Sequence, residues 1–476
     1  MEGLEVVEIK YNALENIIDY RIESEYFDKR FLNNEKLLRK NSIPFFEVAN
    51  YDNGRAYASD KFSELNLWEN RSVKVAKIGD VTQKRFIEQW ENLELEEFIF
   101  QKGELLKVDD ILMSLTGDPP DVGKVSLIFE VPCNATWNQR VAKVYLRDEQ
   151  TVFISNRVFF VILSTKYCRE QLERYAKGIR QRNLGTECLQ EMKVPVISNS
   201  FQEVIEKTIQ TYYLKIQQSK VLYTEAENIL LQELGLINWQ PTIKNNNTKT
   251  LKESFLSSGR IDAEYYQPKY DEIENIIKEY KDGWSTIGNS LLEINTGDFC
   301  NEYHEKAEGL TFYIRNTNIS KGRIVEDEKY FVSTNGLTKF TKEGDILTAR
   351  VGAIGSFGTV NKKFENSIYS DNVLCLRLHH NLLPDVYTCY LNSNINAELM
   401  EKIAGGSVQP LITQTSIKDL VIPIFPNNIQ KVVSEKMQQS FKLQAQSKEL
   451  LEAAKRAVEI AIEQNEIAAL DFLNDY

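Results

Sequence analysis

The chain has 476 residues, a formal net charge of −12, and 42% hydrophobic, 26% charged and 11% aromatic residues. That is too long for a single core and suits two or three domains, and the acidic balance argues against a protein that coats nucleic acid non-specifically. No run of about 18 apolar residues exists, which excludes a transmembrane helix, and the acidic start "MEGLEVVEIKYNALENIIDY" lacks the regions of a signal peptide, so a cytoplasmic, non-membrane protein is expected.

The first signal along the chain is the phrase "YRIESEYFDK" around Arg21. Next comes "DDILMSLTGDPPDVGKVSLI" (109–128), in which Asp-Ile-Leu is followed by Gly117 and Gly123. "NQRVAKVYL" (138–146) alternates apolar residues at strand period. A helical stretch (167–178) carries a basic run, "KYCREQLERYAKGIRQRNLG" (166–185), and "LQEMKVPVIS" (189–198) closes the unit at Pro195. The segment 201–235 has no internal Pro or Gly and predicts a long helix. An Asn/Thr/Ser/Lys-rich stretch (240–259) then reads as linker.

Everything then repeats in order. "GRIDAEYYQP" brings the phrase back at Arg260, and a helix is predicted over 264–280. "GDILTARVGAIGSFGTVNKK" (344–363) places Gly352 and Gly358 at the spacing of Gly117 and Gly123. "SDNVLCLRL" (370–378), a helical stretch (385–403) and "IKDLVIPIFP" (417–426) follow, and a second long helix is predicted over 427–466. Four ordered matches plus a shared terminal helix establish a duplication with small loop insertions between the halves. The long helices present Ile205, Ile209, Tyr212, Ile216, Tyr223 and Leu230 on the first, and Val433, Met437, Leu451 and Val458 on the second, at the 3.5-residue period of a parallel or antiparallel helix pair. Serines and Gln444 interrupt this seam, leaving room for helices that also carry partner surfaces.

Chemistry-bearing motifs are sparse. The six cysteines form no CxxC pair and the three histidines no helical i, i+4 pair, which disfavours structural zinc and His-based catalysis. Asp110 and Asp345 read best as turn residues before buried strands. "RVGAIGSFG" (350–358) has no following Gly-Lys-Ser/Thr and so is no P-loop. "DPPD" (118–121) lacks the aromatic of a methyltransferase catalytic loop. No catalytic residue and no metal ligand is assigned.

The opening phrase, "GDILTARVGAIGSFGTV", "GGSVQPLITQTSIKDLVIPIFP" (405–426) and the twofold layout resemble the specificity subunit of type I restriction–modification systems. The first half departs where the second has Gly-Ser-Val-Gln-Pro (406–410), carrying "IRQRNLG" (179–185) instead, which points to units that read different things. The resemblance implies an α+β fold with two pseudo-symmetric target recognition domains, 1–200 and 259–426. Long helices 201–235 and 427–466 separate them as an antiparallel coiled coil, with a linker at 236–258 and a tail at 467–476. It implies a non-catalytic subunit that reads a bipartite site in double-stranded DNA and docks two methyltransferase subunits on its helices. Motor–nuclease subunits join for restriction. S-adenosylmethionine, Mg2+ and ATP serve those partners, and this chain holds no cofactor.

For DNA contact, Arg and Lys combined with amides in loops give the candidates. These are Lys177, Arg180, Gln181, Arg182 and Asn183 in the first unit, and Arg315, Asn316, Asn318, Lys321, Arg350, Ser407 and Gln409 in the second. The competing readings are a tandem-repeat scaffold whose helices assemble partner proteins without reading DNA, and a nuclease with unrecognised metal ligands.

Overall fold

The computed structural model describes residues 7–9, 21–63, 72–83, 90–118, 121–131, 134–148, 154–178, 181–242, 248–327, 329–352, 354–404 and 411–476. The chain divides into two compact units, Met1–Ile216 with Ala445–Tyr476, and Gln217–Gln444. The division falls within both long helices, Asn199–Glu233 and Asn427–Glu463, so each unit contains a part of each.

In the first unit the strands are β1 (Ser42–Pro44), β2 (Ala49–Asn53), β3 (Phe62–Ser63), β4 (Ser72–Ala76), β5 (Glu91–Glu94) and β6 (Ile111–Ser114). They continue with β7 (Thr116–Gly117), β8 (Val125–Leu127), β9 (Ala135–Trp137), β10 (Val141–Leu146), β11 (Arg182–Asn183) and β12 (Lys193–Pro195). One antiparallel sheet has the order β2-β10-β6-β8, a second has β3-β5-β4-β9 with β4 and β9 parallel, and β1 pairs with β12. Ile111, Leu112 and Met113 of β6 are all buried, as a strand covered on both faces requires. The helix Asn156–Ser164 starts where the Ser155 hydroxyl accepts from the Val158 N–H (3.2 Å), and it buries Val158 through Leu163. The helix Lys166–Tyr175 follows and ends before the predicted 178.

In the second unit the strands are β13 (Trp284–Thr286), β14 (Leu291–Thr296), β15 (Thr311–Ile314), β16 (Ile319–Ser320), β17 (Gly322–Ile324) and β18 (Phe331–Val332). The rest are β19 (Ile346–Ala349), β20 (Phe357–Thr359), β21 (Ile368–Tyr369), β22 (Val373–Leu378) and β23 (Val421–Pro423). The order β14-β22-β19-β20 reproduces β2-β10-β6-β8 and is extended by β17 and β16. β18-β15-β21 reproduces β5-β4-β9, with its last pair again parallel, and β13 pairs with β23 as β1 does with β12. The register repeats as well: Ile111 faces Val144, and Ile346, also directly after its aspartate, faces Leu376. The duplication read from short motifs is therefore a duplication of topology. The predicted helix over 264–280 is realised as Pro268–Lys278, with proline at the first helical position where its missing N–H costs nothing.

The fold class is α+β, and the seam is antiparallel. In the first unit Ile205, Ile209 and Tyr212 are buried in one core with Leu451, Ala454 and Val458, while Ile216 is partly buried beside them. There the Lys215 ammonium donates to Gln446 (2.9 Å). In the second unit Ala226 and Leu230 share a core with Val433 and Met437, flanked by half-buried Tyr223. Two of the serines that interrupt the pattern pair with each other: Ser219 and Ser440 hydroxyls lie 3.0 Å apart, and Ser440 also donates to the Ser219 carbonyl (2.8 Å).

Both predicted helix ends shift slightly. The first helix stops at Glu233, where Gly235 (φ 69°) adopts the left-handed conformation, its N–H bonds the Gln232 carbonyl, and the Leu236 N–H bonds that of Leu231. The second stops at Glu463, because the Asn465 side chain caps a further helix, Glu466–Leu473, by accepting from the Ala468 N–H (2.9 Å). Residues 467–476, read as a tail, thus lie largely in that helix, whose Leu470 and Phe472 pack on the first unit's core. Among the described residues no helix is long and apolar enough to cross a membrane.

Candidate nucleic-acid interface

The repeated phrase has a structural meaning in each unit. Arg21 donates from Nη1 to the carbonyls of Arg174, Tyr175 and Ala176 at 3.0, 3.2 and 3.4 Å, gathering the end of the helix Lys166–Tyr175. In the second unit Arg260 donates to the carbonyls of Lys402 (3.3 Å) and Ala404 (3.5 Å) at the end of the helix Asn394–Ile403. Each arginine pairs with an acid two residues on, Glu23 or Asp262, and lies over a tyrosine, Tyr26 or Tyr265. A cation at a helix C-terminus meets both the unpaired carbonyls and the negative end of the helix dipole. The phrase is written twice because each unit has one such helix end to hold.

From that end the chain returns to an edge built alike in both units. In the first, β11 pairs with β7, joining Arg182 to Gly117 and Asn183 to Thr116. The Leu184 N–H bonds the Leu115 carbonyl (2.8 Å), and the Leu115 N–H bonds the Arg140 carbonyl (2.9 Å). In the second, Leu411 bridges Val351, the Ile412 N–H bonds the Arg350 carbonyl (2.9 Å), and the Arg350 N–H bonds the Asn372 carbonyl (2.9 Å). Although "IRQRNLG" and Gly-Ser-Val-Gln-Pro share no wording, Asn183 and Leu184 within the first and Leu411 and Ile412 after the second dock on equivalent positions, Thr116 and Leu115, and Val351 and Arg350.

The sequence candidates divide over this edge. Lys177 is half-buried and ion-paired with Glu187 (2.9 Å), a pair that holds the Glu187 carboxyl below its ordinary range. Arg182 donates to the Glu173 carbonyl (3.0 Å) and pairs with Glu25 (2.8 Å), so it helps Arg21 hold the helix end. Gln181 and Asn183 are exposed, and Arg180 lies outside the described residues. In the second unit Arg350 donates to the Asp371 carbonyl (3.2 Å). Arg315 lies 3.1 Å from the Tyr330 ring centroid and 3.6 Å from Asp327. Both arginines keep an Nε with no hydrogen-bond partner. Asn316 donates weakly to the Val351 carbonyl (3.4 Å). Asn318 is buried, accepting from the Arg315 N–H (2.9 Å) and donating to the Val325 carbonyl (3.1 Å), so its amide shapes the turn. Lys321 is exposed on the wall of a cavity of about 900 Å³ that Arg260 and Tyr265 also line. Ser407 and Gln409 lie outside the described residues.

The two Asp-Ile-Leu aspartates are turn residues. Asp110 accepts from the Lys107 N–H and Asp345 from the Lys342 N–H, each at 2.8 Å. Burial pushes the Asp110 carboxyl up. Asp345 is gripped by Arg377 through two bonds, of 2.7 and 2.8 Å. Among the described residues no group of three His, Cys, Asp or Glu side chains stands together to hold a metal.

Sequence reasoning named Arg315 and Asn318 but missed their equivalents in the first unit, Lys77 and Asp80. Lys77, after β4, has its N–H bonded to Asp80 (2.8 Å), as Arg315, after β15, has its own bonded to Asn318. Lys77 lies over the Phe62 ring as Arg315 lies over Tyr330. A cation on an aromatic face thus follows the same strand twice. The spacing cation-x-x-Asp/Asn was the available signal, too short to stand out without the register.

Comparison with known proteins gives one family match: residues 284–455 match the family described as "Type I restriction modification DNA specificity domain". The match runs from β13 into the second long helix. No curated protein matches the chain. Among solved structures it is similar to the type I restriction-modification system S subunit from M. genitalium, with 12% identity, a TM-score of 0.37 and coverage of 88% of this chain and 94% of that one. It is also similar to the HsdS subunit from Thermoanaerobacter tengcongensis, with 12% identity, a TM-score of 0.29 and coverage of 89% and 96%. A third, the type IIG restriction endonuclease BpuSI, has 12% identity, a TM-score of 0.30 and coverage of 42% and 30%. Likenesses this faint leave the weight on the family match and on the internal repeat.

Proposed function

We infer that the chain is the DNA specificity subunit of a type I restriction–modification system, and that each of its units reads one part of a split DNA sequence. The observation that carries this is the repeat of the matched domain. Residues 284–455 match the DNA specificity family, and the first unit has the same strand order, parallel pair and helix-end clamp. A domain that reads DNA, present twice in one chain, suits a site in two parts.

The division of labour follows from side-chain chemistry. Cations and amides at the loop edge of each unit contact phosphates and base edges, the first giving position and the second sequence. The paired long helices are the docking surface for two methyltransferase subunits, and motor–nuclease subunits join that assembly for restriction. Methyl transfer and DNA cleavage belong to those partners, which bring S-adenosylmethionine, Mg2+ and ATP, and this chain is non-catalytic. The scaffold reading is disfavoured by the DNA-specificity match.

Selection of random duplex DNA by the purified chain bound to its methyltransferase tests the reading. Enrichment of one sequence with two defined parts and a fixed undefined gap is expected. Binding that enriches no sequence would leave a scaffold instead.

A further inference from the structure

We propose that the base-reading residues lie in two equivalent turns, Asn138–Arg140 and Ser370–Asn372, with Gln139 and Arg140 reading one part of the site and Asp371 and Asn372 the other. This rests on the DNA-specificity reading above and names the residues that carry it out.

The two turns join the same strands, β9 to β10 and β21 to β22, and their backbones are fixed by the same bonds. The Arg140 N–H donates to Asn138 Oδ1 (3.1 Å), and the Asn372 N–H to Ser370 Oγ (3.2 Å). The Val141 N–H bonds the Asn138 carbonyl (3.0 Å), and the Val373 N–H bonds that of Ser370 (2.9 Å). On one flank a glycine presses against the turn. The Gly54 N–H bonds the Val141 carbonyl (3.0 Å) and the Gly297 N–H that of Val373 (3.4 Å), while a Cβ on either glycine would collide with the carbonyl of Asn138 or Tyr369. On the other flank the turn carbonyls of Arg140 and Asn372 accept from Leu115 and Arg350, the central segments of the edges described above. Behind each turn stands the strand that ends in a cation: the Asn138 N–H bonds the Ala76 carbonyl beside Lys77 (3.1 Å), and the Ser370 N–H bonds the Ile314 carbonyl beside Arg315 (2.9 Å).

A backbone held on both flanks is what precise hydrogen-bond readout requires, because an ångström of play erases discrimination between base edges. The tips are not used up in holding the fold. Gln139 and Arg140 are exposed, and no hydrogen bond or ion pair among the described residues engages either side chain. Asn372 is exposed, and among the described residues the Asp371 carboxylate is engaged through one oxygen, Oδ1, which accepts from Ser370 (2.9 Å) and, at 3.4 Å, from the Asn372 amide, a contact between the two tips themselves. The frame is shared and its contents differ. A glutamine amide matches the adenine N6/N7 edge and an arginine fork the guanine O6/N7 edge, whereas an aspartate accepts from cytosine N4 and an asparagine matches adenine. One scaffold carrying two sets of letters fits a protein whose halves read different sequences.

The test compares the wild type with Gln139→Ala/Arg140→Ala and Asp371→Ala/Asn372→Ala, each co-expressed with the methyltransferase, by sequencing modified bases in host DNA. Each double variant should lose about 5- to 150-fold of its discrimination at bases in one part of the motif, a different part for each pair, with the gap unchanged. A motif identical to wild type for both pairs would overturn the proposal, as would loss in the same part for both. Should a double variant abolish methylation, the shape-preserving single changes Gln139→Glu and Asp371→Asn decide: a changed base at one position supports the assignment, and an unchanged motif overturns it. A wild type that methylates no split motif would instead count against the function proposed above.

Discussion

Replacing Arg21 by Gln should loosen the end of the helix Lys166–Tyr175 while the rest of the first unit stays folded. The Arg21 side chain is only 17% exposed, and Nη1 reaches two carbonyls within 3.2 Å. Bonds from a charged donor contribute about 1.5–3 kcal/mol net, and a cation at a helix C-terminus about 0.3–1 kcal/mol. Its ion pair with Glu23, whose side chain is 55% exposed, adds at most about 1 kcal/mol. The freed carbonyls regain water, so the lower end of these ranges applies, about 2 kcal/mol in all. Hydrogen exchange reads the effect locally, at the amides of Ala176, bonded to the Leu172 carbonyl (3.0 Å), and of Lys177 and Asn183, bonded to each other's carbonyls at 2.9 and 2.8 Å. A loss of about 2 kcal/mol corresponds to exchange roughly 30-fold faster there. Amides of β6 and β10 serve as the control. Unchanged exchange at the three amides would refute the clamp, and so would equal acceleration across the control strands, which would signal global loss of stability.

Three further outcomes follow from the same geometry. Ser440→Ala should cost about 1 kcal/mol by removing the partner of buried Ser219, while Ser219→Ala/Ser440→Ala should come back near wild type because no buried hydroxyl is left alone; denaturant melts of the four proteins measure the cycle. Gly297→Ala should cost about 1–3 kcal/mol or more, since its Cβ meets the Tyr369 backbone, and circular-dichroism melting reports it. Burial works to raise the Glu463 carboxyl, but bonds from Arg456, Lys166 and Tyr167 outweigh it and hold the group at about 2, below its ordinary 4.5. Its contribution to stability is therefore complete above pH 4.5 and lost as pH falls through 2, and Glu463→Gln should flatten the acid limb of stability against pH in that window.

Much of the architecture was legible because glycine, proline and aspartate punctuate it at fixed places. Asp-Ile-Leu marked the entry to β6 and β19, since a turn aspartate accepts the N–H three residues back and a strand covered on both faces opens with consecutive apolar residues. The heptad-like stripe gave the seam, including its serines, because period alone decides which face of a helix is buried. The helix Asn156–Ser164 was not legible: "NRVFFVILS" is apolar all round, and so short a run has no period to separate helix from strand. The candidate site was less legible than the fold. Arg182 reads as a free loop cation in sequence, and only the fold brings Glu25 and the Glu173 carbonyl to it. Gly54 and Gly297 are equivalent, yet Asp-Asn-Gly-Arg and Asn-Thr-Gly-Asp give little hint of it until the strands are in register. The turns at 138–140 and 370–372 were not legible as sites, because their polar residues directly precede the alternating apolar residues of β10 and β22 and short polar lead-ins of this kind begin many strands.

The central claim is tested most directly by placing the chain with its methyltransferase in a host that lacks other modification, and sequencing the modified bases. The account predicts one motif made of two short defined parts with a fixed undefined gap, and replacement of residues 1–200 by those of a chain with another specificity should change one part alone. A methyltransferase bound to this chain and active, yet modifying DNA without a split motif, would contradict it.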